Sequence, residues 1–522
     1  MKRCFFIFLL ILCLLPCLAV AEEEDALYPI RENGLWGYMN RTGETVIPPQ
    51  LDDAGQFSQG RAIAARCDAS GNIRYGIIDG NGEWLLQPRY FRIEDTPFCY
   101  FIYSEDALMG PVGWLDKNSG FFQATKYAYL WDNRTDCGLI LAEWREENGE
   151  YRDAYLRRDT GEIAILLAEQ GELYPDAAFS EGYAFILFEL WEDESFIEYL
   201  MDQKGNKAAF PAGIYPNGSV NEGVLRISDG NGKFGLARPD GTVIVPPQYE
   251  YVEDGSEGRT FFYQDDKLGI LDLEGNVILP ASLNYDPGWD YFGGGEQHFF
   301  FNGYALVKQC DENKVRSWVI VDREGKTVFA YPSVPEKGTS FAPCAYVMEN
   351  GLLWYRVGRE NGKNESYGLI RLSGEGWAFL TEPIFDDIPD SDCGKIVNHD
   401  GLMPVSQNGQ YGYINEQASW VIPPQWDHAW EFESGLALVE KDGKLAYIDH
   451  AGTVVWQEAP MVYYNANGGK YYHADPCCPR VSPLYWPLSP VLFEKINEGK
   501  FLNLLPCSIC GAPERPSADA AQ

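Results

Sequence analysis

The sequence predicts an all-β chain, organised as an array of about ten small antiparallel repeats. Three observations predict this fold class. Aromatic residues make up 14% of the 522 residues, and the 53 Gly and 32 Pro favour strands and turns over helical bundles. One phrase recurs along the chain at spacings of 34 to 50 residues. Helical periodicity is nearly absent.

The recurring phrase is clearest at residues 33–64, 231–249 and 408–439, where an aromatic residue, a glycine turn and a Val-Ile-Pro-Pro or similar run follow in the same order. The copies align on one residue that stands six positions before the glycine turn: Gly37, Gly76, Gly113, Tyr155, Tyr199, Gly235, Gly269, Val319, Gly368, Gly412 and Ala446. We expect the glycines of this set, and Trp36 before the first of them, to be structural residues of the repeat.

Each copy predicts three strands. Asn-Gly pairs such as Asn231-Gly232 and Asn408-Gly409 predict two-residue hairpins, because both positions tolerate a positive φ. After the next strand and its glycine turn, a β-branched strand should end at Pro48-Pro49, because proline cannot donate to a ladder. A third strand, Arg61 to Ala65, then leads into the next copy.

Neighbouring copies should stack, since a meander of about 35 residues cannot bury both of its faces alone. The recurring glycine indicates a place that another backbone, or an aromatic ring of the next copy, approaches closely. A propeller-like closure would remove exposed sheet edges, and an open β superhelical stack is the alternative. The segments 281–302 and 331–343 interrupt the pattern and predict a first part, 30–330, and a second part, 346–460.

The phrase Leu-Trp-Gly-Tyr, Thr-Gly, Val-Ile-Pro-Pro-Gln and Phe-Ser-Gln-Gly at 35–60 resembles the WG β-repeat of bacterial proteins. The resemblance extends over about 30–460, although Tyr155, Tyr199 and Val319 lack the aromatic-glycine pair. It implies an all-β repeat module without catalytic residues, and therefore binding or scaffolding rather than an enzyme.

Both ends of the chain differ from the repeats. Lys2 and Arg3 precede an apolar run from Phe5 to Val20 that ends in Ala19-Val20-Ala21. This pattern is typical of a signal peptide over residues 1–21, removed after Ala21, and predicts a secreted or envelope-exterior protein with no membrane span after cleavage. Residues 512–522 are expected to be a disordered tail.

The charge of the chain excludes one class of partner. There are 41 Lys and Arg against 77 Asp and Glu, which gives a net charge of −36. Nucleic acids and other phosphate-rich partners would be repelled, whereas cations, basic proteins and neutral glycans would not.

Residues 461–511 form a distinct Cys/His module. His473, Cys478 and the pair Cys507 and Cys510 supply four ligands suited to one tetrahedral structural Zn²⁺, with Cys477 as the alternative to Cys478. A pair of disulfides is the competing interpretation. The pattern is similar to zinc-knuckle tails of secreted bacterial proteins and, more distantly, to the zinc domain of Ada-type repair proteins. That domain uses four cysteines, so no methyl transfer is implied here. No other cofactor is expected.

Several motifs resemble binding or catalytic motifs, but the repeat pattern explains them better. Gly230 to Gly235 spells G-x-G-x-x-G without a following helix, and Asp79 to Glu83 lacks the spacing of a calcium loop. The acid pairs Asp52-Asp53 and Asp386-Asp387 occupy equivalent loops. Seven aromatic residues could pack between repeats or stack on sugars: Trp36, Trp84, Trp114, Trp420, Trp426, Trp430 and Tyr411.

The function expected from these features is a secreted, non-enzymatic scaffold that recognises an unknown protein or cell-wall partner. Glycan binding or glycan processing, through the acids and aromatics of the repeat loops, is the alternative. Acids and aromatics gathered at one place on the array would favour the alternative.

Overall fold

In a computed structural model, the chain is all-β, as predicted. The structure describes residues 26–32, 34–105, 111–124, 129–132, 137–146, 151–167, 171–174, 177–190, 195–285, 298–310, 316–331, 339–343, 351–359, 365–373, 376–388 and 400–515. The predicted signal peptide therefore lies outside the described residues. Within these ranges the strands form twelve small sheets, eleven of them from consecutive antiparallel strands.

The first four sheets show the pattern of three or four strands in chain order. Sheet 1 is β1 (Tyr28–Glu32), β2 (Leu35–Met39) and β3 (Thr45–Leu51); sheet 2 is β4 (Asp53–Ala54), β5 (Arg61–Cys67), β6 (Ile73–Asp79) and β7 (Trp84–Tyr90); sheet 3 is β8 (Arg92–Asp95), β9 (Cys99–Tyr103), β10 (Gly113–Asp116) and β11 (Phe122–Ala124); sheet 4 is β12 (Tyr129–Trp131), β13 (Leu139–Arg145), β14 (Tyr151–Arg157) and β15 (Ile163–Leu166).

Sheets 5 to 8 continue in the same way. Sheet 5 is β16 (Gly171–Leu173), β17 (Tyr183–Leu190) and β18 (Phe196–Asp202); sheet 6 is β19 (Tyr215–Pro216), β20 (Leu225–Ser228), β21 (Phe234–Ala237) and β22 (Val243–Tyr249); sheet 7 is β23 (Tyr251–Val252), β24 (Arg259–Gln264), β25 (Lys267–Asp272) and β26 (Val277–Leu283); sheet 8 is β27 (Tyr304–Cys310), β28 (Arg316–Asp322) and β29 (Thr327–Ala330).

Three further sheets complete the array, and one belongs to the C-terminal module. Sheet 9 is β30 (Thr339–Pro343), β31 (Leu352–Arg359), β32 (Ser366–Ser373) and β33 (Gly376–Phe379); sheet 10 is β34 (Leu402–Gln407), β35 (Gln410–Asn415) and β36 (Trp420–Trp426); sheet 11 is β37 (His428–Glu433), β38 (Leu436–Lys441), β39 (Lys444–Ile448) and β40 (Val454–Gln457); the terminal sheet is β41 (Met461–Tyr464), β42 (Tyr471–His473), β43 (Ser489–Leu492) and β44 (Leu505–Pro506).

The boundary between repeats differs from the predicted one. The third strand of the first copy, β5, does not pair with β3; it pairs with β6 of the second copy, so that Ala64 faces Gly76. Each sheet from the second onward thus combines the last strand of one phrase with the first two of the next. The chain passes to the new sheet directly after the proline strand, since only Asp52 separates β3 from β4.

The strand with the prolines also continues further than predicted. β3 runs through Pro48-Pro49 to Leu51, and its pairing with β2 jumps from Ile47 to Leu51. Because β3 lies at the edge of its sheet, the missing proline N–H groups cost no ladder bonds, and the extra residues form a bulge. The prediction that proline ends the strand was wrong for this reason.

The bulge explains the recurring glycine. At Gly412, an added Cβ would lie 2.7 Å from the nitrogen of Pro424 and 2.8 Å from the carbonyl carbon of Pro423. The backbone that approaches therefore belongs to the next strand of the same sheet. At Gly269 and Gly368 the close neighbour is an aromatic ring, Phe262 or Tyr355, and these rings also lie in the same sheet as the glycine rather than in the next copy.

Two-residue hairpins occur at only some of the predicted places. Asn408 and Gly409 both have positive φ, 55° and 74°, between β34 and β35, as predicted. Asn231-Gly232 instead belongs to a five-residue turn, closed by the Asp229 carboxylate, which accepts the N–H groups of Asn231 and Lys233 at 2.8 and 3.0 Å.

The sheets pack face to face, and each shares a core with the next. Side chains alternate along β24: Phe261 and Tyr263 pack against sheet 8, whereas Phe262 packs against sheet 6. Sheets 8 and 9 also share a core, which includes Ile320 and Leu353, across the predicted division of the array.

The order of shared cores is circular. Tyr28, Ile30 and Met39 of sheet 1 pack against Leu436 and Tyr447 of sheet 11. The Tyr28 hydroxyl donates to the carbonyl of Ser434 at 2.7 Å. Each sheet keeps its two edges, because no described strand forms a ladder with a strand of another sheet. Every sheet of the array is nevertheless covered on both faces by its two neighbours.

A row of glutamates links consecutive turns in sheets 5 to 8. The Glu181 carboxylate accepts the N–H groups of Glu222 and Gly223 at 2.7 and 2.8 Å. Glu222 does the same for Glu257 and Gly258, at 2.7 and 2.6 Å. Glu257 in turn binds the N–H groups of the Asn302-Gly303 turn. Glu222 and Glu257 therefore each present their amide to one neighbouring turn and their carboxylate to the other.

Substitution of the repeat glycine should be strongly destabilising. We expect Gly412→Ala to lower the free energy of unfolding by about 2–3 kcal/mol, because the new methyl group must displace backbone. Gly80→Ala is the matched control, since Gly80 has no heavy atom within 4 Å of an added Cβ. Urea denaturation of both variants measures the difference, and equal stability of the two would contradict the packing argument.

One buried carboxyl group makes stability depend on pH. Asp153 is 3% exposed, and burial, with Glu143 nearby, raises its pKa to about 7. The folded state then favours the protonated form, so stability present at low pH is lost as pH rises from about 4 to 7, by about 2–4 kcal/mol. The melting temperature of the wild type should fall as the pH is raised from 4 to 6 and to 8. They should fall less in Asp153→Asn, and parallel curves for the two proteins would refute the assignment.

Candidate metal centre

The C-terminal module has its own small core and sheet. In the order β43, β41, β42 and β44, the first three strands are antiparallel, and β44 runs parallel to β42. Val462, Tyr472, Val491 and Ile496 are buried together. Three short 3₁₀ helices lie between β42 and β44, at Pro483–Tyr485, Phe493–Asn497 and Gly499–Phe501. Among the described residues, no helix combines the length and apolar character needed to cross a membrane.

The backbone brings two distant parts of the module side by side. Tyr472 is paired with Pro506 across the parallel strands, and the Cys507 N–H donates to the Tyr472 carbonyl at 3.0 Å. This pairing places His473, the residue after Tyr472, beside the Cys507 turn. The turn then closes through the Ala512 N–H, which donates to the Cys507 carbonyl at 3.0 Å.

Four potential ligand atoms converge at this place. The side chains of His473, Cys478, Cys507 and Cys510 have their ligand atoms within 4.8 Å of one another. The Sγ atoms of Cys478 and Cys507 are 3.9 Å apart, and Cys510 Sγ lies 3.7 Å from His473 Nδ1. With Zn–S near 2.3 Å and Zn–N near 2.0 Å, a tetrahedral ion needs separations of roughly 3.5–3.8 Å. The donor set and its spacing fit such an ion.

Burial and hydrogen bonds suit the same chemistry. Cys478 and Cys507 are fully buried, and His473 is 2% exposed. Burial, with Arg480 nearby, lowers the pKa of His473, which favours the neutral imidazole that binds metals. Burial also acts on Cys507, but the N–H groups of Cys510 and Ile509 outweigh it and hold the pKa of this thiol below its ordinary value.

The two adjacent cysteines have different environments. Burial raises the pKa of the Cys478 thiol to about 11 in the absence of a cation, with Cys510 and Cys507 as further causes. Cys477 is exposed, lies outside the cluster, and its N–H donates to Asp475 Oδ1 at 2.7 Å. The structure thus brings together the four predicted ligands and leaves the alternative one aside.

The side chain of Arg515 holds the last described residues of the chain against the module. The Arg515 guanidinium donates to the carbonyls of Ile496, Phe501 and Leu504, and the Tyr472 hydroxyl donates to the Pro513 carbonyl at 2.7 Å. Residues 512–515, which open the predicted disordered tail, therefore pack against the module. Residues 516–522 lie outside the described part of the chain.

The other motifs that the sequence analysis singled out stabilise turns and strands of the repeats. Asp79 Oδ1 accepts the N–H groups of Asn81 and Glu83 at 2.9 Å, which closes a turn. Asp53 accepts the Tyr75 hydroxyl at 3.1 Å, and Asp387 accepts that of Tyr411 in the equivalent place. The segment from Gly230 to Gly235 is a turn followed by β21 and has no helix after it.

Comparison with known proteins agrees with the repeat pattern. A family model described as "WG containing repeat" matches residues 36–65, 75–95, 234–267 and 411–444. Four segments of the array therefore match the WG-containing repeat. The four WG segments include the three copies in which the phrase is clearest, and the fourth contains Gly76. No curated protein matches the chain.

Several solved structures are similar to this chain at 12–13% identity. They include the eukaryotic initiation factor (TM-score 0.34, 12% identity, 68% of this chain and 95% of that one). The WD40 domain of Toxoplasma gondii coronin has TM-score 0.26 and 13% identity, over 64% and 89% of the two chains. Oligogalacturonate lyase from Vibrio parahaemolyticus has TM-score 0.26 and 13% identity, over 57% and 98%.

Removal of one ligand should abolish metal binding, and the neighbouring cysteine offers a matched control. We expect the wild type and Cys477→Ser to contain one zinc ion per chain, and Cys510→Ser and His473→Ala to contain far less. Elemental analysis of the purified proteins measures this. A protein without zinc, whose intact mass is lower by about 2 Da for each disulfide formed, would show that disulfides hold the module instead.

Proposed function

We propose that the chain is a secreted, non-enzymatic repeat scaffold that recognises a protein or a component of the cell envelope. One structural zinc ion staples its C-terminal module. The proposal rests on one observation, which is that the recurring glycines, prolines and acids form turns, bulges and cores of the repeats. A ring of packed sheets supplies many loops on a rigid frame, which suits recognition.

The zinc ion has a structural role in this proposal. All four ligands come from the protein, which matches closed structural sites rather than catalytic ones, where a position stays open for water. The module has a core of few residues, and zinc binding can contribute about 10–16 kcal/mol to the folding of such small units.

Export from the cytoplasm is supported by the sequence of the first 21 residues. The basic start, the apolar run and the small residues before Glu22 predict cleavage after Ala21. The net charge of −36 supports partners that are basic or uncharged and argues against nucleic acid.

The proposal is tested by expression of the full chain with its own leader in a secreting host. We expect the mature protein outside the cells, with Glu22 at its N-terminus, and retention on purified peptidoglycan or on extracted envelope proteins. Gly80→Ala should bind as the wild type does, and Gly412→Ala should bind less because its array is disturbed. An uncleaved cytoplasmic product, or equal binding by both variants, would contradict the proposal.

A further inference from the structure

One tryptophan differs from all the others that the structure describes. Trp114, Trp144, Trp354, Trp377 and Trp426 are buried, and the other described tryptophans apart from Trp430 are half-buried. Of the described tryptophans, Trp430 alone is exposed, at 45%. Within the described residues its indole N–H has no hydrogen-bond acceptor, so this ring presents both an apolar face and a donor to solvent.

The repeat itself shows that the fold does not need this ring. Aligned on the Phe-x-x-Gly turn, Trp430 corresponds to Gly55 of the first copy. The two positions have the same backbone role, since the Tyr38 hydroxyl donates to the Gly55 carbonyl at 2.9 Å and the Tyr413 hydroxyl donates to the Trp430 carbonyl at 2.8 Å. A glycine is sufficient there, and the tryptophan side chain is therefore available for another purpose.

Two further rings continue the surface on which Trp430 lies. The centroid of His428 is 6.2 Å from that of Trp430, with the ring planes at 42°. Tyr411, from sheet 10, follows at 5.8 Å and 33°. His428 is also exposed and replaces Asp53 of the first copy. The three rings form a row across the seam between sheets 10 and 11, in which Tyr411 is half-buried against the shared core and His428 and Trp430 are exposed. We name this row the aromatic platform.

Carboxylates border the platform. Asp387 accepts the hydroxyl of Tyr411, and Glu440 lies directly opposite His428 across the antiparallel pair of β37 and β38. An anionic ligand would be repelled here, both by these groups and by the net charge of the chain. A tilted row, rather than a cage of rings around one point, also suits an extended flat ligand better than a compact cation.

We infer that the aromatic platform of Tyr411, His428 and Trp430 binds an uncharged glycan, whose pyranose rings stack on the aromatic faces while its hydroxyl groups bond to the bordering acids. This goes beyond the proposed scaffold function and does not depend on the zinc site, which lies in a separate module. The ligand needs no cavity, because a stacked chain of sugars can bind along an open surface.

Titration calorimetry tests the inference with a panel of uncharged hexasaccharides, namely N-acetylchitohexaose, cellohexaose and mannohexaose. At least one should bind the wild type, and Trp430→Gly should bind it at least about tenfold more weakly, a loss of about 1.4 kcal/mol. The glycine is tolerated at Gly55, so a changed melting temperature is not expected. Phe196→Ala removes an aromatic residue that is 57% exposed elsewhere on the array, and it should bind as the wild type does.

Three results would overturn the inference. The first is the absence of binding to every member of the panel at 10 mM sugar. The second is unchanged affinity in Trp430→Gly. The third is equal or tighter binding of oligogalacturonate, or displacement of the hexasaccharide by choline chloride, since these would show recognition of an anion or of a cation. Zinc content measured on the same samples separates this test from that of the metal centre.

Discussion

Both faces of every sheet in the array are apolar, and this single constraint accounts for most of the architecture. Successive side chains of a strand point to opposite faces, so the middle strands bury residues on each side. In β24, Phe261 and Phe262 enter the cores of two different neighbours. A sheet with two apolar faces is stable only between two others, and the first and eleventh sheets satisfy the requirement through each other. The chain therefore forms an array rather than a set of independent units.

The strands and the structural residues could be predicted because they repeat. Gly37 and Gly412 are recognisable since the same glycine returns before the same turn, and the requirement for it is local. The His/Cys cluster was also predictable, because cysteine and histidine in this spacing have few other uses. The assignment of β5 to sheet 2 could not be derived in the same way, since the phrase reads identically whether a strand pairs with the copy before it or the copy after it.

Other features were missed because their physical cause lies outside the local sequence. The strand containing Pro48-Pro49 continues since it is an edge strand, and edge position is a property of the sheet. Asp265 and Asp266 form a two-residue hairpin with positive φ at both positions, although neither is a glycine or asparagine. Trp430 could have been singled out from the sequence by its alignment with Gly55. Its exposure, however, which separates it from the packing tryptophans, needed the structure.

The circular order of the cores has a consequence for the topology of the chain. Arg31 and Glu458, at opposite ends of the array, are joined by two hydrogen bonds of 2.7 and 3.1 Å. The ends of the repeat region are thus neighbours, and no sheet acts as a cap. The position of the chain ends in the array is therefore not fixed by the packing. A chain joined between Arg31 and Glu458, and opened instead at a loop between two other sheets, would form the same set of interfaces. In an open solenoid, by contrast, such a permutation would separate two sheets that need each other.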